Sequence, residues 1–487
     1  MMKQSGWRSP CLMLLFCVAT ATTSPAQITF TTLASFDDGF YPQMVLTQGI
    51  DGNFYGTTPF GGGGAGCRGC GTVFQMTPAG ALTTLYAFCP QAYCLDGSYP
   101  AGALAQASNG DLYGTTAQGG GSTECDEGCG TVFKITEAGK LTTLYSFCAT
   151  AGCVDGKQPN GGLVRGTNGT FYGTTAFGGL NAKGTIFEIS PAGKLTTLFS
   201  VDGTDGDEPE GTLVQARNGN FYGETEYGGA SYNSGTLFEM TRGGVLTTLF
   251  TFGTGGDFPV GGLIQARNTD FYGVTADGGS NSNPNYCLTG CGTIFKTTPA
   301  GTLTTLYDFC AKADCADGMT PNGPLVQATD GNFYGTTYGY PANQGTVFEI
   351  TPEGKLSTLY SFCPSNACPV AYLPAAGLLQ ATDGSFYGTT YYGGSGQEGS
   401  IFRLSTGLAP FVSFVENTAK IGQEFDIMGQ ELTGTTEVLI NGIPTSFTDK
   451  SDTLLIATVP AGATTGYVTV NIASGTLTSN VPLYVIP

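Results

Sequence analysis

The sequence predicts an all-β fold: a seven-bladed β-propeller of four-stranded blades, followed by an immunoglobulin-like β-sandwich. Three observations predict it. One segment recurs seven times in the 487 residues, each copy contains strand-like stretches, and a strand that the last copy lacks precedes the first copy. We expect a signal peptide at residues 1–26, the propeller at residues 27–406 and the sandwich at residues 410–487.

Two short motifs mark every copy of the repeat. The first is a Tyr-Gly pair, whose tyrosines are Tyr55, Tyr113, Tyr172, Tyr222, Tyr272, Tyr334 and Tyr387. The second is Gly-(Thr/Ser)-aliphatic-Phe, which ends at Phe74, Phe133, Phe187, Phe238, Phe295, Phe348 and Phe402. A period of roughly 50 to 60 residues indicates a repeat architecture, in which neighbouring units complete one another's core.

Each copy divides into four strands, A to D, as the copy that starts at Pro324 illustrates. Strand A is Leu-Val-Gln-Ala, strand B contains Phe-Tyr-Gly-Thr-Thr, strand C is Gly-Thr-Val-Phe-Glu-Ile and strand D is Leu-Ser-Thr-Leu-Tyr-Ser-Phe. In six copies an Asn-Gly or Asp-Gly pair, which favours a type I′ hairpin, joins strands A and B. The pairs begin at Asp51, Asn109, Asn168, Asn218, Asp330 and Asp383. The fifth copy departs from this pattern, with Asn268-Thr269-Asp270.

The two ends of the repeat region complement each other. The seventh copy stops after its strand C, at Gly399 to Leu404, and the missing strand D type sequence occurs at Thr31 to Phe36. We therefore expect these two strands to pair, which would close the ring and remove an open sheet edge. Beyond Pro410 the repeat ends, and short alternating strands around an Asn441-Gly442 turn predict a small β-sandwich.

These motifs resemble two known families. The Phe-Tyr-Gly-Thr-Thr…Gly-Thr-Val-Phe…Leu-Thr-Thr-Leu-Tyr-Ser-Phe unit resembles the bacterial Gloeobacter/Verrucomicrobia (GloVer) repeat over residues 28–404. The tail is similar to IPT/TIG immunoglobulin-like domains at Ile421-Gly422, Val438 to Gly442 and Val459 to Gly466. The first resemblance implies an exported protein and no particular activity; the second implies a spacer or a binding module.

The N-terminus predicts export. Lys3 and Arg8 precede an apolar stretch, Cys11 to Ala19, and small residues lead to a cleavage site near Ala26. The apolar stretch is too short to span a bilayer, so we expect a mature chain without a membrane span, secreted to the extracellular space or the periplasm. A lipoprotein signal at Cys17 is the alternative, but bulky Phe16 precedes it.

Cysteine spacing agrees with export. The 14 cysteines that follow the signal form seven close pairs, which we expect to be local disulfides. The pairs are Cys67–Cys70, Cys89–Cys94, Cys125–Cys129, Cys148–Cys153, Cys287–Cys291, Cys310–Cys315 and Cys363–Cys368. Zinc binding or redox chemistry is the alternative at the Cys-x-x-Cys of Cys67, although no helix follows to stabilise a thiolate.

Composition excludes several functions. The net charge of −19 and the absence of Lys/Arg clusters argue against nucleic acid as a partner. The chain has no histidine, which excludes Ser-His-Asp triads, Cys-His pairs and histidine-bearing metal sites. We expect a monomer without an organic cofactor.

Acidic residues supply the candidate site. An Asp-Gly-x-x-Pro segment recurs between strand D and the next strand A, at Asp38, Asp96, Asp155, Asp205 and Asp317. Asp-Gly before proline is ordinary turn chemistry, and the alternative is a ring of carboxylates that binds a ligand on the loop face. Calcium is the only cofactor suggested, with Asp202, Asp205 and Asp207 as candidate ligands, although their spacing is not that of an EF-hand.

Departures from the repeat consensus are further candidates. Glu224, Glu226 and Asp277 occupy positions in or just after strand B where other copies have uncharged residues. Strand A carries one polar residue per copy, at Gln48, Gln106, Arg165, Gln215, Gln265, Gln327 and Gln380. The glutamines either bind the backbone of the neighbouring blade or line the channel, where they could contact a ligand. Arg165, the single cation of the set, is a further candidate for contact with a ligand on the loop face.

Two functions remain open on this basis. The first is a non-catalytic exported propeller that binds a glycan, a protein or an envelope component. The second is a polysaccharide hydrolase or lyase that uses carboxylates. In either case we expect the ligand on the face formed by the B–C and D–A loops, because the cysteine pairs and the variation in loop length lie there.

Overall fold

A computed structural model describes residues 28–37, 40–63, 69–91, 93–229, 234–253, 257–283, 287–339, 344–363, 371–374 and 376–486. These residues form an all-β structure, in which the helical segments are two short 3₁₀ turns, Ala151–Cys153 and Ala313–Cys315. Among them no helix has the length and apolar character needed to cross a membrane. The expected signal peptide lies outside the described residues.

The repeat region of the described chain contains seven antiparallel sheets, here numbered I to VII in chain order. Its first strand, β1, is Thr29–Ser35. Sheets I to III are β2 Thr47–Gln48, β3 Phe54–Thr58, β4 Thr72–Met76 and β5 Leu82–Ala87; β6 Ser98–Gln106, β7 Leu112–Gln118, β8 Thr131–Ile135 and β9 Leu141–Ser146; and β10 Val164–Arg165, β11 Phe171–Thr175, β12 Thr185–Ile189 and β13 Leu195–Ser200. Sheets IV and V are β14 Val214–Gln215, β15 Phe221–Thr225, β16 Thr236–Met240 and β17 Leu246–Thr251; and β18 Asp257–Gln265, β19 Phe271–Asp277, β20 Thr293–Thr297 and β21 Leu303–Asp308. Sheets VI and VII are β22 Val326–Gln327, β23 Phe333–Thr337, β24 Thr346–Ile350 and β25 Leu356–Ser361; and β26 Ala371–Pro374, β27 Leu379–Gln380, β28 Phe386–Gly393 and β29 Ser400–Ser405.

The two repeated motifs meet at the centre of each sheet. In sheet I, Gly56 of strand B lies opposite Phe74 of strand C, and a Cβ on this glycine would stand 2.5 Å from the Cζ of Phe74. The same Gly–Phe register recurs in the other sheets. The phenylalanine ring therefore fills the space that a side chain would take, which explains why Tyr-Gly and Gly-Thr-aliphatic-Phe recur together.

Adjacent sheets contact each other through aromatic rings. Tyr113 of sheet II stacks on Phe171 of sheet III with ring centroids 4.1 Å apart, and Tyr387 of sheet VII stacks on Phe54 of sheet I at 4.2 Å. Equivalent pairs join sheets III to IV, IV to V, V to VI and VI to VII. Between sheets I and II, Tyr55 and Leu112 belong to one apolar cluster instead. Strand B is buried along its length between the neighbouring sheets.

A backbone hydrogen bond also joins each sheet to the previous one. The donor is the N–H of the residue before the proline that recurs in the D–A loops, and each donor residue has a left-handed φ between 43° and 58°. The donors are Tyr41, Tyr99, Gln158, Glu208, Phe258, Thr320 and Leu373. Tyr41 donates to the carbonyl of Glu398, 3.0 Å away, and so links sheet I to sheet VII.

The expected pairing of the chain's two repeat ends is confirmed. Strand β1 pairs antiparallel with β29, with Thr31 opposite Arg403 and Ser35 opposite Ser400. Phe30 stacks on Tyr360 with ring centroids 4.0 Å apart, which also packs this strand against sheet VI. The repeated four-stranded sheets fit a β-propeller.

The remaining strands form a separate C-terminal unit with its own apolar core. Its sheets contain β31 Glu424–Met428, β34 Phe447–Ser451 and β35 Leu454–Thr458; and β32 Glu437–Ile440, β33 Ile443–Pro444, β36 Val468–Ile472 and β37 Gly475–Thr478. Strands β30 Thr418–Lys420 and β38 Tyr484–Ile486 pair in parallel. Val438, Leu455 and Val470 are fully buried between these strands.

Candidate functional site

A cavity of about 1090 Å³ runs between the sheets of the repeat region. Its wall is built from the D–A loops and the first strands of the sheets, so every sheet or its preceding loop contributes residues. The wall is rich in glycine because these segments lie against one another: a Cβ on Gly102 would stand 2.3 Å from the backbone nitrogen of Gly162. Close backbone contact around the cavity makes its wall rigid.

The C-terminal unit lies against the A–B turn end of this cavity. Arg267 donates from Nη2 to the carbonyl of Asn480 at 2.9 Å, and Thr453 donates from Oγ1 to the carbonyl of Ile50 at 2.9 Å. Residues such as Tyr484 complete the cavity wall at this end. The loop end, formed by the B–C and D–A loops, is the opposite end.

Arg165, which we expected to line the channel as a ligand contact, lies in the cavity wall and belongs to this contact with the C-terminal unit. It forms an ion pair with Glu416 of the C-terminal unit. Asp426 of the same unit also interacts electrostatically with Arg165. Burial raises the pKa of Asp426 to about 6, whereas the positive charge of Arg165 acts to lower it. Arg165 therefore joins the two parts of the chain.

The glutamines at the positions equivalent to Arg165 bind neighbouring backbone, as one of the two sequence interpretations predicted. Gln106 accepts from the N–H of Ile50 at 3.0 Å, and Gln48 accepts from the N–H of Thr382 at 3.0 Å. The other four also accept from a backbone N–H of the preceding sheet, namely Gln215, Gln265, Gln327 and Gln380. These side chains hold the A–B turns of adjacent sheets together.

The recurring aspartates of the D–A loops face inward. Asp317 is fully buried and accepts from Tyr307 Oη at 2.7 Å and from the N–H groups of Ala311 and Lys312. Asp155, only 6% exposed, accepts in the same way from Tyr145 Oη at 2.8 Å. These carboxylates organise their own loops, which is what the turn interpretation predicts.

Of the other members of the set, Asp96 follows this pattern and Asp205 does not. Asp96 accepts from Tyr86 Oη at 2.9 Å, as Asp155 and Asp317 do from their tyrosines. Asp205 has no equivalent tyrosine, since the matching position is Phe199, and it accepts from the N–H of Asp202 at 2.8 Å. Asp38 lies outside the described residues.

The three calcium candidates do not converge on one point in the described structure. Asp202 accepts from the N–H and Oγ1 of Thr204 at 2.8 and 2.6 Å, and these bonds lower its pKa. Asp207 forms an ion pair with Lys183. Burial raises the pKa of Asp205. Each carboxylate is thus engaged locally.

Three glutamates of the same loop region do converge. Oxygen atoms of Glu208, Glu210 and Glu226 lie within 4.8 Å of one another, and Glu210 and Glu226 line the cavity. Glu208 and Glu210 belong to the D–A loop before sheet IV, and Glu226 follows strand β15 directly. Asn160 donates from Nδ2 to Glu210 Oε1 at 2.8 Å. Burial, with repulsion from Glu226 and Glu208, raises the pKa of Glu210 to about 7.

Glu224 lies in the wall of the same cavity. It occupies the position in strand B where sheets III and VI have threonines that donate to backbone carbonyls of the next sheet. Its Oε1 accepts from the N–H of Gly262 at 2.6 Å, whereas its Oε2 is buried without a hydrogen-bond partner. Burial raises the pKa of Glu224 to about 7. Asp277, the third departure from the consensus, ends strand β19 and is not among the residues that line the cavity.

An aromatic patch, which the sequence reasoning missed, lies on the loop face. It consists of Tyr41, Phe60, Tyr99, Tyr391 and Tyr392, all partly exposed. Ring centroids are 4.9 Å apart for Tyr41 and Tyr391, 5.1 Å for Phe60 and Tyr99, and 4.6 Å for Tyr391 and Tyr392. A hydrogen bond to a carboxylate neighbour raises the pKa of Tyr41 to about 12. The Tyr391-Tyr392 doublet, where other copies have one aromatic residue or none, was the available signal.

Tyr99 connects the patch to the cavity, which it lines together with Glu210 and Glu226. Large apolar side chains are also exposed on the surrounding B–C and D–A loops, among them Tyr93, Leu180 and Leu288. The loop end of the cavity thus has an aromatic side and an acidic side.

Disulfides lie in the loops of this face. Five of the expected bonds are present in the described residues: Cys89–Cys94, Cys125–Cys129, Cys148–Cys153, Cys287–Cys291 and Cys310–Cys315. Cys67 and Cys368 lie outside the described residues, so the expected pairs that include them are not described. The four cysteines of Cys125–Cys129 and Cys148–Cys153 lie within 4.8 Å of one another, which ties the B–C and following D–A loops of sheet II together. Disulfides are typical of extracellular proteins.

Comparison with known proteins gives one family. The family model described as Gloeobacter/Verrucomicrobia repeat matches residues 16–154, 128–309 and 284–402. No curated protein matches the chain.

Solved structures resemble the chain in fold. The extracellular domain of a hybrid two-component system from B. thetaiotaomicron has a TM-score of 0.51 at 11% identity, over 93% of this chain and 54% of that one. The periplasmic gluconolactonase of Pseudomonas aeruginosa has a TM-score of 0.42 at 17% identity, over 66% of this chain and 85% of that one. This chain spans about half the length of the first of these proteins.

Proposed function

We propose that this chain, which belongs to the Gloeobacter/Verrucomicrobia repeat family, is an exported, non-catalytic binding module whose loop face takes a glycan. The observation that carries the proposal is the aromatic patch of Tyr41, Phe60, Tyr99, Tyr391 and Tyr392 beside a cavity with carboxylates in its wall. Flat rings pack against the apolar faces of sugars, and nearby polar groups accept bonds from sugar hydroxyls.

The proposed architecture is a seven-bladed propeller capped by an IPT/TIG-like sandwich. In its support, the sheet-to-sheet hydrogen bonds continue from sheet I to sheet VII and return to sheet I through Tyr41 and Glu398. The two sheets and separate core of the C-terminal unit support the sandwich. Because that unit lies at the A–B turn end, the loop end is the entrance open to a ligand.

Export is part of the proposal. The disulfides are typical of oxidising compartments, and the N-terminal sequence has the pattern of a cleaved signal ending near Ala26. We propose a secreted or periplasmic monomer that binds neither nucleic acid nor membranes.

Affinity electrophoresis against soluble plant and microbial polysaccharides tests glycan binding. We expect retardation by at least one polysaccharide class, and roughly tenfold weaker binding for Tyr99→Ala and Tyr391→Ala, since one stacked ring contributes about 1–1.5 kcal/mol. Tyr467→Ala is the matched control, because Tyr467 is an exposed tyrosine of the C-terminal unit. Equal binding by all variants, or binding to protein partners alone, would refute the glycan assignment.

A carboxylate-dependent hydrolase or lyase is the second candidate. The observation in its favour is that Glu210, whose pKa is raised to about 7, adjoins Glu226, since such a pair can combine a proton donor with a carboxylate. Release of reducing ends or unsaturated products by the wild type, abolished in Glu210→Gln, would establish this function and exclude the non-catalytic one.

A further inference from the structure

The glutamate cluster beside the cavity concentrates negative charge, and Lys183, the cation that acts on Glu208, is already paired with Asp207. Glu208, Glu210 and Glu226 each place one oxygen within 4.8 Å of the other two. The ion pairs in the described part of the chain are Lys134–Asp111, Arg165–Glu416 and Lys183–Asp207, so none includes these glutamates. Like charges at such separations repel strongly in a partly buried site unless a proton or a cation neutralises them.

A second observation at the same cavity points to a ligand. Glu224 is 2% exposed, and its Oε2 has no hydrogen-bond partner although a buried carboxylate oxygen ordinarily has one. Its side chain lines the cavity together with Glu210 and Glu226. A buried, unpaired carboxylate oxygen is unfavourable on its own and is stabilised by a cation nearby.

We propose that Glu208, Glu210 and Glu226 bind one calcium ion, beside the cavity in whose wall the unpartnered oxygen of Glu224 lies. An all-oxygen set of carboxylates on an irregular loop suits a hard cation that accepts flexible geometry, which favours calcium over magnesium. The site differs from the one expected at Asp202, Asp205 and Asp207: Asp202 and Asp205 are engaged within their own loop, and Asp207 is paired with Lys183.

The cation would join two segments of sheet IV. Glu208 and Glu210 belong to the loop that enters the sheet, whereas Glu226 follows its strand β15. Glu208 also carries a left-handed φ of 55° at the hydrogen bond to sheet III. Binding only to the folded state would stabilise the protein by mass action, so a higher melting temperature is a second readout.

Isothermal titration calorimetry with calcium chloride on the EDTA-treated full chain tests the proposal. We expect one site with a Kd of about 10⁻⁴–10⁻³ M, the range of extracellular calcium modules, and a higher Tm in calcium than in EDTA. Glu226→Gln and Glu210→Gln should each weaken binding at least tenfold. Asp202→Asn is the control: it removes a carboxylate from the same acidic loop and should bind as the wild type does.

Several results would overturn the proposal. They are the absence of both heat and Tm change with calcium, unchanged affinity in both glutamate variants, loss of binding in Asp202→Asn, or tighter binding of magnesium chloride than of calcium chloride. Circular dichroism identifies any variant that does not fold, and Glu208→Gln replaces it. The titration contains no glycan, so its failure is distinct from failure of the proposed glycan binding.

Discussion

Glu224 gives the sharpest test of how the cavity is built. Its pKa is raised by burial from 4.5 to about 7. At 1.36 kcal/mol per pKa unit, this corresponds to about 3 kcal/mol of differential stability between the two protonation states. Because Glu224 is fully buried, solvent screening does not reduce this figure much.

The sign follows from which state holds the proton more tightly. The folded protein binds the proton on Glu224 up to about pH 7, whereas the unfolded chain releases it near pH 4.5. The cost of the buried charge is therefore absent below pH 4.5 and fully present above pH 7. Glu224→Gln has no such charge, so we expect its advantage over the wild type to grow by about 3 kcal/mol between these two values.

The assay is denaturant unfolding of both proteins in EDTA at several values between pH 4.5 and pH 8, followed by tyrosine fluorescence. Glu353→Gln is the matched control, because Glu353 is exposed and should leave the curve parallel to that of the wild type. Parallel curves for Glu224→Gln and the wild type would refute the reasoning. If calcium neutralises the Glu208, Glu210 and Glu226 cluster, adding it should reduce the difference in unfolding free energy between Glu224→Gln and the wild type above pH 7.

Three further predictions test the fold and the loops. Asp317→Ala should lower the free energy of unfolding, measured with urea, by about 1.5–3 kcal/mol, because it leaves Tyr307 Oη and two N–H groups without an acceptor. Its glycan binding, measured by affinity electrophoresis, should be unchanged. Deleting residues 28–35 should expose the edge of β29 and cause aggregation in size-exclusion chromatography; a monomeric product would contradict this. Arg165→Ala should speed proteolytic release of residues 410–487, because it breaks the ion pair with Glu416; an unchanged rate would show that this pair does not hold the units together.

Periodicity predicted the parts of the structure that recur. A glycine recurs at the position of Gly56 because the phenylalanine at the position of Phe74 fills the space of its missing side chain. The two motifs therefore reflect one packing contact. The pairing of β1 with β29 followed from counting strands in each copy, since an unpaired strand at either end is unfavourable. The local disulfides followed from short spacing on an exported chain.

Other features depend on contacts that no local pattern encodes. The contact between Arg165 and Glu416 joins residues 251 positions apart, and neither belongs to a motif that predicts it. The aromatic patch depends on Tyr41 and Tyr391, from opposite ends of the repeat region, becoming neighbours. They become neighbours only because sheet VII packs against sheet I.

The inward-facing carboxylates of the loop aspartates show how recurring residues in a repeat sequence should be interpreted. Asp155 and Asp317 recur because each copy must satisfy the same N–H groups and the same tyrosine hydroxyl, so recurrence at these positions indicates a structural role. A binding site, in contrast, is needed once. Glu224 replaces the threonine that five other copies have at this position, and there a buried oxygen is left without a partner. In this chain, the position that departs from the repeat is therefore a better candidate for a ligand site than the positions that repeat.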